Sequence, residues 1–212
     1  ERKEAKELIS SGHQSNINKH MNIMWCSKLG LLTPSSNNST TSSSNVDAIV
    51  NTLLELMEKT ECDWTITWRQ LSVIVERMAE ENNSMTEDDM FELLNHCFYS
   101  NEKKDVYKKE WLQWLHNWSV NVLSFSSSSS ASLVTIAASM KRVSPKYIPR
   151  EWMLVDAYTN AENGNYSTLK ELFTLFEQPY ENGTSCNESS YYKKQMNDNY
   201  NGVGKGGTSF MS

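Results

Sequence analysis

The run Gly202-Val-Gly-Lys-Gly-Gly-Thr-Ser carries the residue types of a phosphate-binding loop. That chemistry needs Gly-Lys followed directly by Ser or Thr, then a helix whose N-terminus faces the phosphates. Here Gly206 follows Lys205 and the chain ends at Ser212, so the loop reading is rejected. Metal chemistry finds no better footing. Cys26, Cys62, Cys97 and Cys186 form no Cys-x-x-Cys pair and hold no ligand spacing with His13, His20, His96 or His116. The neighbours His96 and Cys97 point in two directions on a helix. Glu87, Asp88 and Asp89 lie where a helix starts, and they read as charge that complements its dipole. No nucleophile elbow, zinc-protease helix or kinase-type catalytic loop occurs. Nothing supplies a nucleophile, a base and an oxyanion donor together, so no catalytic, cofactor-binding or metal-binding residue is assigned.

Two other groups have chemistry to offer. Lys141, Arg142, Lys146 and Arg150 cluster around Pro145 and Pro149. They read either as solvated charges on a rigid connector or as a surface that holds a partner domain or an anionic group. The prolines push Ser144 and Ile148 out of the α region, so the chain should run extended from Val143 to Ile148. A helix should then start at Pro149, where a proline at the first position costs nothing. Trp152, Val155, Tyr158 and Ala161 follow at helical spacing, and Gly164 is placed to stop that helix. The second group is Trp111, Trp114 and Trp118, spaced i, i+3, i+7. This is a core face, or a platform for a sugar or a partner.

The elements that must position these residues are helical. Ile17, Met21, Met24, Trp25 and Leu29 lie on one stripe, with Gly30 as C-cap, while Glu1 to Gln14 read as a helix end or a frayed terminus. Asp47 should open a helix with Ile49, Leu53, Leu56 and Met57 inward and Glu55 and Glu58 outward. Residues 60–63 read as a turn. Thr65 to Met78 reads as a helix with Trp68, Leu71, Val75 and Met78 on one stripe, although its β-branched content leaves a strand possible. Ser84-Met-Thr-Glu87 reads as a capping box before Met90, Leu93, Leu94 and Cys97. Lys103 to Leu123 reads as one long helix with Val106, Trp111, Trp114, Leu115, Trp118 and Val122 on one side. Leu133 to Met140 is a short helix. Tyr166 to Phe176 gives a last one, with Leu169, Leu172, Phe173 and Phe176, ended by Pro179. Two Ser-rich tracts, 34–45 and 126–132, read as disordered insertions. The fold class is all-α, with a helical region over 1–181 and an irregular tail over 182–212.

At 212 residues the chain can bury a real core. Hydrophobic content of 38% and a net charge of −6 argue against a nucleic-acid surface over its whole length. No apolar run approaches the roughly 18 residues of a membrane span. Asn38, Asn117 and Asn182 head glycosylation sequons, which arise by chance in a chain this rich in Asn and Ser. Free thiols in a reducing interior are the default. The first residue is Glu1 rather than Met, which suggests part of a longer protein.

Val143-Ser-Pro-Lys-Tyr-Ile-Pro-Arg-Glu-Trp-Met-Leu-Val-Asp-Ala-Tyr resembles the C-terminal signature of the selenoprotein O (YdiU-like) family. Further blocks fall in that family's order. They are Lys28-Leu-Gly-Leu after Met24, Leu53-Leu-Glu-Leu-Met, Asp63-Trp-Thr, Trp68-Arg-Gln-Leu, Asn163-Gly-Asn-Tyr with Pro179-Tyr, and Gly207-Thr-Ser-Phe-Met-Ser. Ser144 stands where the family usually has Asn, and Cys186 is not at a matching position. The chain stops before the family's terminal cysteine or selenocysteine.

The resemblance implies the helical C-terminal part of a protein-kinase-like fold. In the intact protein it implies a pseudokinase that moves AMP from ATP onto protein hydroxyls, with ATP and Mg2+ as cofactors. The family's glycine-rich loop, lysine, arginines, catalytic aspartate and metal-binding Asn and Asp precede the Lys28-Leu-Gly-Leu block. None is therefore carried onto this chain, and the chain alone is expected to bind no nucleotide. The implied partners are protein substrates and the protein's own catalytic lobe, with no nucleic acid and no membrane. The Trp111, Trp114 and Trp118 face and the Pro145-Lys-Tyr knuckle are the surfaces expected to pack against that lobe. The implied location is the mitochondrion in a eukaryote and the cytoplasm otherwise. The alternative is a non-enzymatic helical module whose Trp-rich face binds a partner.

Overall fold

A computed structural model describes residues 2–31, 43–181 and 191–192. Its helices are α1 (Arg2–Leu29), α2 (Ser43–Thr60), α3 (Trp64–Glu80), α4 (Glu87–Leu93), α5 (Asn101–Val106), α6 (Lys108–Ser129), α7 (Leu133–Val143), α8 (Glu151–Glu162) and α9 (Ser167–Glu177). A 3-10 turn, Leu94–Cys97, follows α4. No strand occurs among the described residues. Cys62 and Phe98 make an isolated antiparallel bridge.

Helix α3 is the axis of the structure. Thr65, Ile66, Thr67 and Trp68 are all buried, as are Leu71, Ile74, Val75 and Met78, so the helix is covered on nearly every side. That enclosure decides for helix over strand despite the β-branched residues. Asp63 starts α3 by accepting a hydrogen bond from the Ile66 N–H at 2.8 Å. Helix α7 packs along α3. Helix α6 packs on α2 and α4, and the C-terminal end of α1 closes against α2 and α7. The Trp111, Trp114 and Trp118 side chains lie at the centre of this core. Trp114 and Trp118 stack at 5.6 Å, and Trp111 meets Phe98 edge-on at 5.6 Å. Their fate as core also removes them as a platform for a partner. The Trp-face interaction module, and the same face as a contact with the catalytic lobe, are both corrected by this burial.

Several boundaries differ from the sequence reading, each for a local reason. Helix α2 begins at Ser43 rather than Asp47, anchored by the buried Val46. Residues 34–42 of the first Ser-rich tract lie outside the described residues. The second tract is helical rather than disordered through most of its length. Ser126 to Ser129 form the last turn of α6, and only Ser130 to Ser132 make the link to α7. The hydroxyls of Ser127, Ser128 and Ser129 donate to the Leu123 or Phe125 carbonyls at 2.7–3.1 Å. That back-bonding lets serines continue a helix whose Phe125 is already buried. The capping box before α4 is Thr86 with Asp89, two residues later than Ser84-x-x-Glu87. The long helix over 103–123 breaks at Tyr107, because Ser100 caps a separate short α5. Val106 is consequently 67% exposed rather than on the tryptophan face.

Helix α8 starts at Glu151, two residues after Pro149, with Arg150 extended at the N-cap (φ −99°, ψ 145°). The reason is the Arg150 side chain, which is committed elsewhere. The buried face of α8 is Trp152, Met153 and Ala157, and Tyr158 is exposed. In α9 only Leu172 is fully buried, while Leu169 and Phe173 face solvent. Helices α8 and α9 pack chiefly on each other, around a small core of their own. Gly164 ends α8 at φ +78°, as its position predicts.

Candidate functional site

The Asp63 carboxylate gathers the most distant parts of the chain. Oδ2 accepts from Arg150 Nη1 at 2.6 Å and from the Tyr99 hydroxyl at 3.0 Å. Oδ1 accepts from Arg150 Nη2 at 2.9 Å and from the Ile66 N–H at 2.8 Å. The Asp63 N–H donates to the Cys97 carbonyl at 2.8 Å, and its own carbonyl accepts from the Thr67 N–H and hydroxyl. One aspartate thus caps α3, fixes the 3-10 turn and grips the entrance of α8. The Arg150 and Asp63 side chains are 4% and 2% exposed, so the pair is shut off from water.

The electrostatics follow from that enclosure. Burial works against the Arg150 charge, but the hydrogen bonds and charge of Asp63 more than offset it and raise its pKa. Burial, then the neighbouring Asp63 charge, pushes the Tyr99 phenol well above its ordinary value. With two guanidinium contacts, one backbone N–H and one phenol, the Asp63 oxygens have no spare direction toward a substrate. The fork geometry is that of a bidentate structural pair, not of a general base.

A second arginine holds the same connector from below. Arg69 Nη1 lies 3.2 Å from the Lys141 and Ser144 carbonyls and 3.0 Å from the Tyr180 carbonyl. Burial lowers its pKa, opposed by nearby Tyr192, Tyr147, Glu181 and Glu76. The Lys146 and Tyr147 N–H groups both donate to the Pro179 carbonyl, at 2.7 and 3.2 Å. The Pro145-Lys-Tyr knuckle is therefore tied to the Pro179-Tyr segment after α9, and Tyr147 is buried.

The Lys28-Leu-Gly-Leu block reaches the knuckle from the other side. Lys28 Nζ donates to the Val143 carbonyl at 2.9 Å, and burial lowers its pKa. The Leu29 carbonyl accepts from Trp118 Nε1 at 2.9 Å. Gly30 has φ +73°, and a Cβ there would come within 2.8 Å of Ile136 and Met140 side-chain atoms. Only glycine gives both the left-handed turn and that approach to α7.

The basic cluster around the prolines is thus dispersed. Lys141 pairs with Glu76 at 2.6 Å. Lys146 lies over the Tyr147 and Tyr192 rings. Arg142 faces solvent and Arg150 is buried. The anion that this knuckle holds is the chain's own Asp63. Glu87 and Asp88 make surface pairs with His116 and Lys108 at 2.7 Å. Among the described residues no three His, Cys, Asp or Glu side chains converge as a metal site. Asp63 and Arg69 stand inside motifs that the sequence displays, but neither spacing nor periodicity announces their partners. Tyr99 lies in no motif, and nothing short of the fold reveals it.

The family described as Protein adenylyltransferase SelO matches residues 4–177. A protein nucleotidyltransferase YdiU of Tolumonas auensis is 29% identical over 132 residues, covering 62% of this chain and 23% of the relative. A protein of the same name from Flavobacterium johnsoniae is 28% identical over 163 residues, covering 74% of this chain and 27% of the relative. The chain spans about a quarter of the length of these relatives. No solved structure matches. The family match takes in every residue of the knot from Lys28 to Arg150, and the chain belongs to the SelO family of protein adenylyltransferases.

Proposed function

We propose that this chain is the helical C-terminal part of a kinase-like protein nucleotidyltransferase that moves AMP from ATP onto Ser, Thr or Tyr hydroxyls. The observation that carries the reading is the family match across residues 4–177, over the helices that the Asp63 knot ties together. In such a reaction the hydroxyl oxygen bonds to the α-phosphorus of ATP as the bond to pyrophosphate breaks, with Mg2+ offsetting phosphate charge when bound. The described residues offer neither a converging metal-ligand set nor a free buried carboxylate, so no step is assigned to them. By this reading ATP and Mg2+ are held by a part of the protein preceding Lys28-Leu-Gly-Leu. This chain supplies the scaffold under that part.

Its own catalytic lobe is the proposed partner, besides protein substrates. Ile17, Met21 and Trp64 are 40–50% exposed and support a seat for that lobe. They join through Trp25, one α1 stripe from Met21 and 6.2 Å from the Trp64 ring. The proposed location is mitochondrial in a eukaryote and cytoplasmic otherwise. The test is calorimetric titration of residues 1–212 with ATP and Mg2+, beside labelled-AMP transfer. No binding and no transfer are expected until the preceding part is joined to it. Nucleotide affinity or self-modification by residues 1–212 alone would overturn this division of labour.

A further inference from the structure

We propose that Tyr191 and Tyr192 act as a staple, an intramolecular ligand that holds the α8–α9 hairpin against the helical body through two adjacent sockets. The hairpin needs such a device because its core is separate. Trp152, Met153, Ala157 and Leu172 form one small cluster, apart from the main core that runs from Cys26 to Met140. Tyr191 packs with the small cluster and Tyr192 with the main one. Two consecutive side chains therefore straddle the seam between the two cores.

Each socket is built from specific groups. The Tyr191 ring stacks on Trp152 of α8, centroids 6.2 Å apart at 15°, and its hydroxyl donates to Glu171 of α9 at 3.1 Å. It touches both helices of the hairpin at once. The Tyr192 ring meets Tyr147 edge-on at 6.4 Å, and its hydroxyl accepts from Gln70 Nε2 of α3 at 3.2 Å. Lys146 Nζ lies 5.3 Å from the centroids of both Tyr147 and Tyr192. Polar links from body to hairpin sit at its base. They include Arg150 with Asp63, and the Pro179 and Tyr180 carbonyls with the knuckle and Arg69. The tyrosine pair adds an aromatic link to both helices of the hairpin.

The sockets select a segment with two adjacent tyrosines, and the hydroxyl of each reads a polar partner that an apolar substitute would leave unpaired.

The test is hydrogen–deuterium exchange on the full chain. In the Tyr191→Ala, Tyr192→Ala double variant, amides of α8 and α9 should exchange about tenfold faster or more, with α3 and α6 unchanged. The milder Tyr192→Phe removes only the Gln70 contact and should give a smaller rise confined to the same hairpin. A synthetic peptide carrying the Tyr-Tyr pair, added at millimolar concentration to the double variant, should restore the protection. Unchanged exchange in α8 and α9, equal acceleration in α3 and α6, or no effect of the peptide would each overturn the staple.

Discussion

Replacing Asp63 with alanine removes the single group on which α3, the 3-10 turn and α8 converge. Arg150 would be left charged at 4% exposure with no anion. Breaking a buried pair in this way costs about 3–5 kcal/mol. Loss of the Ile66 N-cap bond adds about 1 kcal/mol. The expected destabilisation is about 4–6 kcal/mol, a large share of the ~5–15 kcal/mol that holds a folded protein together. At about 2–4 °C per kcal/mol for a chain of this size, Tm should fall by about 8–24 °C. Urea unfolding followed by circular dichroism and tryptophan fluorescence measures it. Arg150→Met tests the same pair from the other side and strands the carboxylate instead. Combining Asp63→Asn, which keeps the cap, with Arg150→Met should be milder than the sum of the singles by at least about 1 kcal/mol. A loss below about 1 kcal/mol for Asp63→Ala would show that water or another cation replaces the pair, and would refute the knot as the anchor of α8.

Gly30→Ala should cost about 2–5 kcal/mol in urea melts, because it combines an unfavourable positive φ with a Cβ driven into Ile136 and Met140. Ser144→Ala should be neutral or stabilise by about 1 kcal/mol, since the Ser144 Oγ is buried without a hydrogen-bond partner among the described residues; a clear loss of Tm would contradict this. Tyr147→Ala in the full-length protein should cost about 3–5 kcal/mol of stability while leaving nucleotide affinity unchanged, measured by melts and ATP titration side by side. Burial, then Glu171, pushes the Tyr191 phenol up from 10.0 to about 12, and Tyr99 and Tyr192 are raised in the same direction by burial. The unfolded phenols lose their protons first, so these groups stabilise the fold below pH 10.0, and that stability is lost as pH rises toward about 12. Ultraviolet tyrosinate titration beside melts at pH 9 to 11 checks this; Tyr99→Phe and Tyr191→Phe should flatten the decline.

What the sequence displayed was the set of faces that end in the core. The stripes of α2, α3 and α6 were legible because their burial repeats with the helical period, and Trp111, Trp114 and Trp118 sit where that period puts them. Periodicity cannot say whether an apolar face is covered. Leu169 and Phe173 keep perfect spacing in α9 and remain exposed, because little of the described chain packs there. Breaks set by caps were equally hidden. Tyr107 interrupts a continuous apolar pattern only because Ser100 opens a separate α5 that ends at Val106, and the serines after Phe125 stay helical by bonding to carbonyls behind them.

The knot was the least legible feature, although its parts stood in view. Asp63 and Arg150 are 87 positions apart, and no local rule pairs an aspartate after a turn with an arginine after a proline. The motif text nevertheless had a physical cause. Lys28, Asp63, Arg69, Tyr147, Arg150 and Pro179 look scattered along the chain, yet each makes a hydrogen bond to or from the connector between Lys141 and Arg150. A basic cluster beside two prolines invites an anionic ligand, and the fold answers with an internal carboxylate. Pro149 explains the difference in helix start as well. It keeps Ile148 extended so that Arg150 can turn inward to Asp63, and α8 begins only once that side chain has been seated. Helix α8 therefore starts where a tertiary contact releases the backbone, two residues after local propensity would have started it.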